Sequence, residues 1–274
     1  MYYENPKVPN EVNVSRVSDT SIGSYLEMIA VIVVTFIAFF VIIYFFVRFF
    51  AAFLPYSVET SIANGFSDFA SKNVENSRTE VLGELQNLAL NLAKSMNAPQ
   101  DMPLHINIIK GNEKNAFATI GGYIFVTEGL LNVVESENAL AMVLAHEIAH
   151  IKNRDVITAI ASSATFSLIM AITLGSDDWL LKDGVSMATL SFSRTQEERA
   201  DKDALLALKN YYGHTFGAEE FFQKVLKNDT FSINFLNSHP NTQKRIGYIL
   251  QTQNIDEKAE LKPLSQAILA IKKR

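Results

Sequence analysis

Twenty consecutive residues, Met28 to Val47, carry no charge and are bounded by Glu27 and Arg48. At 1.5 Å per residue a helix of that length covers about 30 Å, the hydrocarbon thickness of a bilayer. Tyr25, Tyr44 and Tyr56 flank the run as candidate interface anchors. The run exceeds a cleavable signal peptide's apolar region, roughly 7–15 residues, and the polar segment ahead of it contains Glu4, Glu11, Asp19 and Glu27. We therefore expect a retained signal anchor, a single-pass chain and contact with the lipid bilayer. A buried core helix is the rival reading, and the length disfavours it.

With 274 residues, the remaining length suits one medium-sized domain rather than two. A net charge of −5 argues against a nucleic-acid partner, which would call for a basic face. The chain has no cysteine, so disulfides and thiolate metal ligands are excluded and metal binding falls to His and carboxylate. The organisation expected is a polar tail at 1–25, the anchor at 26–54, a linker at 55–80, a folded domain at 81–255 and a C-terminal tail at 256–274. Val81, Leu82, Leu85, Leu88, Leu90 and Leu92 recur at near-helical spacing before Pro99. His105 to Ile109 and Ala116 to Thr127 are rich in Ile, Phe, Val and Thr and read as strands of a small sheet, interrupted by Gly111-Asn112 and Gly121-Gly122. Helical patterns dominate from Ser136 to near Leu208, then at 218–226 and 242–250. The fold class expected is α+β, mainly helical, with one N-terminal transmembrane helix.

The chemistry concentrates in His146-Glu147-Ile148-Ala149-His150, inside the apolar run Ala139 to Ala145 and onward. Ser136 and Glu137 start that helix well, as an N-cap and a first-turn acid. Positions four apart share a helix face, so both imidazoles can reach one ion, and Glu147 projects close to the same face. With 5 histidines in the chain, composition alone yields roughly 0.006 such patterns, so coincidence is a weak rival. A catalytic zinc ion takes three protein ligands and leaves the fourth position to water. Glu197, in Ser193-Arg194-Thr195-Gln196-Glu197-Glu198-Arg199-Ala200-Asp201, is the best third candidate. Asp201 lies one turn further on, placed to hold the far nitrogen of a ligating imidazole. Taken alone, Glu197 and Asp201 would read as a solvated helix face; the upstream pair reverses that weighting.

These residues resemble the HtpX-like and CAAX-prenyl-protease-type zinc metallopeptidases, gluzincins numbered family forty-eight among the metallopeptidases. The similarity spans about Ile106 to Ile246. It rests on Asn115-Ala116-Phe117-Ala118 with Gly121-Gly122, on His146 to His150, on Ser193-Arg194 with Glu197 and Ala200-Asp201, and on His239-Pro240 with Arg245. The resemblance implies a gluzincin-type domain with its sheet beside the active-site helix. It also implies one Zn2+ held by His146, His150 and Glu197, with Glu147 as general base. By the same likeness His239 and Arg245 line the site and stabilise the transition state. The segment starting Gly121, Gly122, Tyr123 and Ile124 would be the edge strand that pairs with an extended substrate. His105 and His214 match no element and are left as structural or surface residues.

Some relatives cross the membrane twice between the histidine pair and the third ligand. Here the returning arm holds Asp177, Asp178, Lys182 and Asp183, each costing at least about 2.5 kcal/mol at a bilayer centre, so residues 156–192 are expected to form a helical hairpin on the domain. Arg16 and Arg48 balance across the anchor and give no orientation. A one-anchor chain resembles the subgroup whose domain faces the periplasm or intermembrane space, and that side is expected. The function expected is hydrolysis of peptide bonds in membrane-associated or misfolded proteins. A membrane-tethered, chaperone-like binder with weak catalysis is the alternative; processing of prenylated C-termini needs a multi-helix chamber that one anchor does not build.

Overall fold

The computed structural model describes residues 22–63, 79–174, 190–227, 235, 239, 242–253 and 259–272, and of 166, 168–174 and 242 the backbone alone. The chain divides into two compact units, Met1–Ile43 and Tyr44–Arg274. The described part of the first is helix, belonging to α1 (Ile22–Ala51). Ile, Val and Phe on every side of α1 leave it no polar stripe, and its large apolar side chains are exposed all round. By length and composition it can cross a membrane, the one such helix among the described residues. It winds down through Phe53 N to Phe50 O and Leu54 N to Ala51 O bonds of 3.0 and 3.2 Å, and Pro55 prevents its continuation.

The second unit opens with α2 (Tyr56–Ala63), in the stretch expected to be linker. Tyr56, Glu59 and Ala63 are buried, and α2 packs on the turn Ile120–Gly122. Its polar residues Ser57, Thr60 and Ser61 disguise a helix that buries one narrow edge. Residues 64–78, the rest of that expected linker, lie outside the described set.

α3 (Thr79–Ser95) buries Val81, Leu85, Leu88, Ala89 and Leu92 along one stripe and exposes Leu90. Three strands follow: β1 (His105–Ile109), β2 (Ala116–Thr119) and β3 (Tyr123–Thr127), in the order β1-β3-β2. β1 runs parallel to β3 and β2 antiparallel to it. This corrects the edge-strand expectation. Tyr123 and Ile124 are in the central strand, paired with His105 and Ile106 on one side and with Thr119 and Ala118 on the other. Gly121 and Gly122 form the tight connection before it, both with φ of +77°. A Cβ on Gly122 would lie 1.9 Å from Pro103 O, so only glycine fits there. The edge strands are β1 and β2.

After α4 (Glu128–Val133), α5 (Glu137–Lys152) runs through the middle of the domain, with Asn138 to Ile151 all buried. A helix apolar on all sides belongs inside a core, and α3, β2 and α7 (Arg194–Tyr212) pack around it. Ser136 caps it as expected, accepting from Ala139 N at 3.1 Å. Its other end breaks at Arg154, whose φ is +63°. That conformation normally selects glycine. Arg154 is held in it by Ala52 O at 3.3 Å, by Leu54 O, by an ion pair to Glu59 and by the Tyr56 ring 4.2 Å beneath its guanidinium.

α6 (Asp155–Leu174) lies where the first arm of the expected hairpin falls; of the returning arm, 176–192, only 190–192 are described, and they are not helical. α7 starts in a capping box of Ser193 and Gln196 and stops at Gly213, φ +84°. α8 (Glu220–Lys227) and α9 (Thr242–Thr252) pack together. The expected C-terminal tail is part of the fold. Residues 259–272 return to the start of α5, where Pro263 pairs with Ser136 and Lys262 O accepts from Glu137 N at 2.8 Å. α10 (Gln266–Lys272) buries Ile268 and Ile271 against the core. Its apolar pattern is too short to read as a helix from sequence.

Candidate metal centre

α5 and α7 cross so that their functional side chains meet in the buried layer between them. From α5, His146 and His150 bring their Nε2 atoms to 3.1 Å of each other. From α7, Glu197 places its oxygens 3.5 Å from His146 Nε2 and 3.3 Å from His150 Nε2. The far nitrogens face carboxylates, with His146 Nδ1 2.9 Å from Asp201 Oδ1 and His150 Nδ1 3.0 Å from Asp155 Oδ2. Asp155 fixes the His150 ring proton on Nδ1 through that bond, and Asp201 sets a carboxylate beside His146 Nδ1. Two nitrogen lone pairs and a carboxylate then point at one spot with no proton between them, an arrangement only a cation satisfies.

The spacing agrees with this chemistry. A tetrahedral zinc ion with bonds near 2.0–2.1 Å separates its ligand atoms by about 3.3 Å, and the three observed separations are 3.1, 3.3 and 3.5 Å. Where no other cation serves, a proton must. Burial opposes charging the ring of His150, yet Asp155 and Glu197 outweigh it and raise its pKa to about 9. Glu197, pushed up by burial, is held well below the usual carboxylate range by His239, His146 and His150.

Glu147 turns the other way, toward β2, where its Oε2 accepts from Ala118 N at 2.9 Å. Its Oε1 is buried without a hydrogen-bond donor, 3.5 Å from His239 Nε2. His239 reaches the centre from outside the two helices, its Nδ1 3.1 Å from Glu197 Oε1 and 3.3 Å from His146 Nε2. The donor atoms of His146, His150, Glu197 and His239 all lie within 4.8 Å of one another.

Arg245, on α9, has its guanidinium behind the centre. Nε donates to Asp201 Oδ2 at 2.8 Å, and Nη2 donates to Glu197 Oε2. Both carboxylates hold it, so its immediate task is to neutralise and brace them rather than to face the Glu147 side. Asp201 is accordingly held low against the upward push of burial, by the Arg245 charge and the contact to His146.

Asp155 is the member of the cluster that the sequence reading lacked. It is buried at the first residue of α6, and besides His150 it accepts from Gln196 Nε2 at 2.9 Å and Arg199 Nη2 at 2.5 Å through Oδ1. A carboxylate five residues beyond the second histidine was the available signal. Using it required the chain reversal at Arg154. Phe192, also unforeseen, stacks on the His150 ring at 3.9 Å between centroids and shields it. Gly121, Gly122, Tyr123 and Ile124 do not join the cluster; β2, through Ala118, does.

A buried helix carrying two histidines and a glutamate, crossed by a second helix bearing a third carboxylate and flanked by a small mixed sheet, is the architecture of single-ion metallopeptidases. The profile of Peptidase family M48 matches residues 80–253, more than half of the chain, and the chain belongs to that family. Similar proteins include the mitochondrial metalloendopeptidase OMA1 of Schizosaccharomyces pombe, 32% identical over 163 residues, covering 53% of this chain and 45% of that protein. A protease HtpX homolog of Desulfatibacillum aliphaticivorans is 35% identical over 136 residues, 39% of this chain and 43% of its own. The β-barrel assembly-enhancing protease of Escherichia coli is 25% identical over 179 residues, 59% of this chain and 37% of its own. The chain thus spans less than half the length of each of these three relatives.

Proposed function

We propose that the chain is a membrane-anchored zinc metalloendopeptidase that cuts membrane-associated or misfolded proteins, with its domain on the extracytoplasmic side. The observation that carries this reading is the meeting of His146 Nε2, His150 Nε2 and the Glu197 carboxylate at tetrahedral spacing. Zinc held by these three residues would supply a Lewis acid for the scissile carbonyl and bring the pKa of water from about 15.7 to about 7.

The chain's own residues account for the rest. Glu147 accepts a proton from the attacking water and delivers it to the leaving amine; its bond from Ala118 N fixes the carboxylate while leaving Oε1 free for that exchange. His239, next to the fourth corner, donates to the developing oxyanion. Asp155 and Asp201 hold the two imidazoles, and Arg245 holds Glu197 and Asp201 as a positioning residue. Substrate pairs with β2. Antiparallel alternation turns Ala116 and Ala118 away from β3, as the Ala118 N bond to Glu147 illustrates, so an extended peptide added there would run past Glu147.

The proximity of His239 Nδ1 favours a second reading, a closed four-ligand site in a tethered, chaperone-like binder. Glu147 argues against it, since a closed structural site has no use for a buried carboxylate with an unfilled acceptor. Purified full-length chain should contain one zinc per subunit and cleave unfolded casein, stop with a chelator and resume with zinc. Capture of casein without cleavage in the zinc-loaded state would favour the binder.

A further inference from the structure

Within the second unit a cavity of about 650 Å³ opens between the last turns of α1 and the corner where α6 and α7 begin. One wall is aromatic, and Phe45, Phe49 and Phe53 are 61%, 61% and 68% exposed. Arg48 rises from the same wall. It is the first charge after the uncharged run, it is half-buried, and its Nη1 donates to Ser162 Oγ at 3.4 Å. No carboxylate lies within ion-pair distance of it among the described residues. The facing wall carries Arg199, half-exposed, which donates to Asp155.

We propose that this cavity binds the headgroup of an anionic phospholipid, its phosphate between Arg48 and Arg199 and its acyl chains along Phe45 and Phe49. A guanidinium without a counter-ion among the described residues, placed where the apolar run ends, sits at headgroup depth, and its planar fork matches phosphate oxygens. With Arg199 paired to Asp155, the cavity keeps the net positive charge of Arg48, which repels a choline headgroup and accepts an anionic one. Free phosphate would leave the three phenylalanines uncovered. The site lies one side chain from the metal centre, because Arg199 holds Asp155 and Asp155 holds His150. The proposal rests on α1 spanning the bilayer.

The test uses full-length chain in nanodiscs of equimolar phosphatidylglycerol and phosphatidylcholine, with co-released lipid counted by native mass spectrometry. Phosphatidylglycerol should be retained in preference, near one equivalent. Arg48→Gln should lower that retention about tenfold, as should Arg199→Gln on the opposite wall, so the result does not hang on one variant's folding. Lys152→Gln, a cation paired to Asp203 elsewhere, should change nothing. Equal retention of the two lipids, an unaffected Arg48→Gln, an equal loss in Lys152→Gln, or displacement by millimolar inorganic phosphate would each overturn the proposal. Alkaline carbonate extraction separates the premise: a chain released by carbonate removes the anchor reading itself, whereas a retained chain without lipid preference removes this inference alone.

Discussion

Two buried charge clusters sit at the two ends of the same short stretch, and they differ in their balance. Around the histidine pair, Glu147, Asp155, Glu197 and Asp201 face Arg199 and Arg245, leaving a formal excess of two negative charges. Beyond the end of α1, Glu59 and Arg154 cancel each other and use backbone oxygens and the Tyr56 ring for the rest. The first cluster keeps a negative excess that a metal ion, or protons on its histidines, would offset, and the second pairs its charges internally. Buried charge therefore marks a ligand site only where it fails to sum to zero.

The sharpest way to break this contrast is at Glu147. Glu147→Gln should lower casein cleavage about 10³-fold while zinc remains stoichiometric by atomic absorption. His146→Ala should lose the metal altogether, whereas His239→Ala should keep it and lose rate; equal metal loss in both would make His239 a ligand. At the balanced cluster, Arg154→Ala should cost about 3 kcal/mol in denaturant unfolding at neutral pH. The penalty should shrink in acid. Burial, stronger than the pull of Arg154, already raises the Glu59 carboxyl, and protonation relieves a carboxylate left alone. A penalty independent of pH would show that Arg154 acts through packing only.

Asp155→Asn should weaken zinc binding roughly 10–100-fold, measured by competition with a chelating dye, with little change in the melting of the zinc-saturated form. The smallest step is in pH. His150, raised to about 9 in the metal-free site, must lose a proton when zinc enters. Affinity should climb about tenfold per pH unit between 6.5 and 9 and then level off. The same raised pKa stabilises the metal-free fold below pH 6.5, and that contribution disappears as pH passes through 9. A flat affinity profile would contradict the acceptor-on-acceptor geometry.

What the sequence revealed follows how local each signal is. His146, Glu147 and His150 are fixed by one helical turn, and Glu197 and Asp201 by another, so spacing was enough to pair them. The capping residue Ser136 is equally local. Asp155 was hidden because it contacts His150 only after a left-handed break at an arginine, where glycine is the usual signal. The edge of the sheet was misassigned because both strands flank the Gly121-Gly122 turn, and which one is central depends on β1, outside that hairpin. α2 was read as linker because its buried face includes a glutamate whose partner lies 95 positions away.

The helix bearing the histidines is pinned at both ends: Lys262 and Pro263 grip its first turn, and Arg154 ties its last turn to the chain leaving α1. A rod clamped at two supports can neither slide nor roll without releasing one of them. A change at Lys262 or at the Arg154 turn is thereby carried along the helix axis to the imidazoles, which makes their alignment depend on contacts far from them.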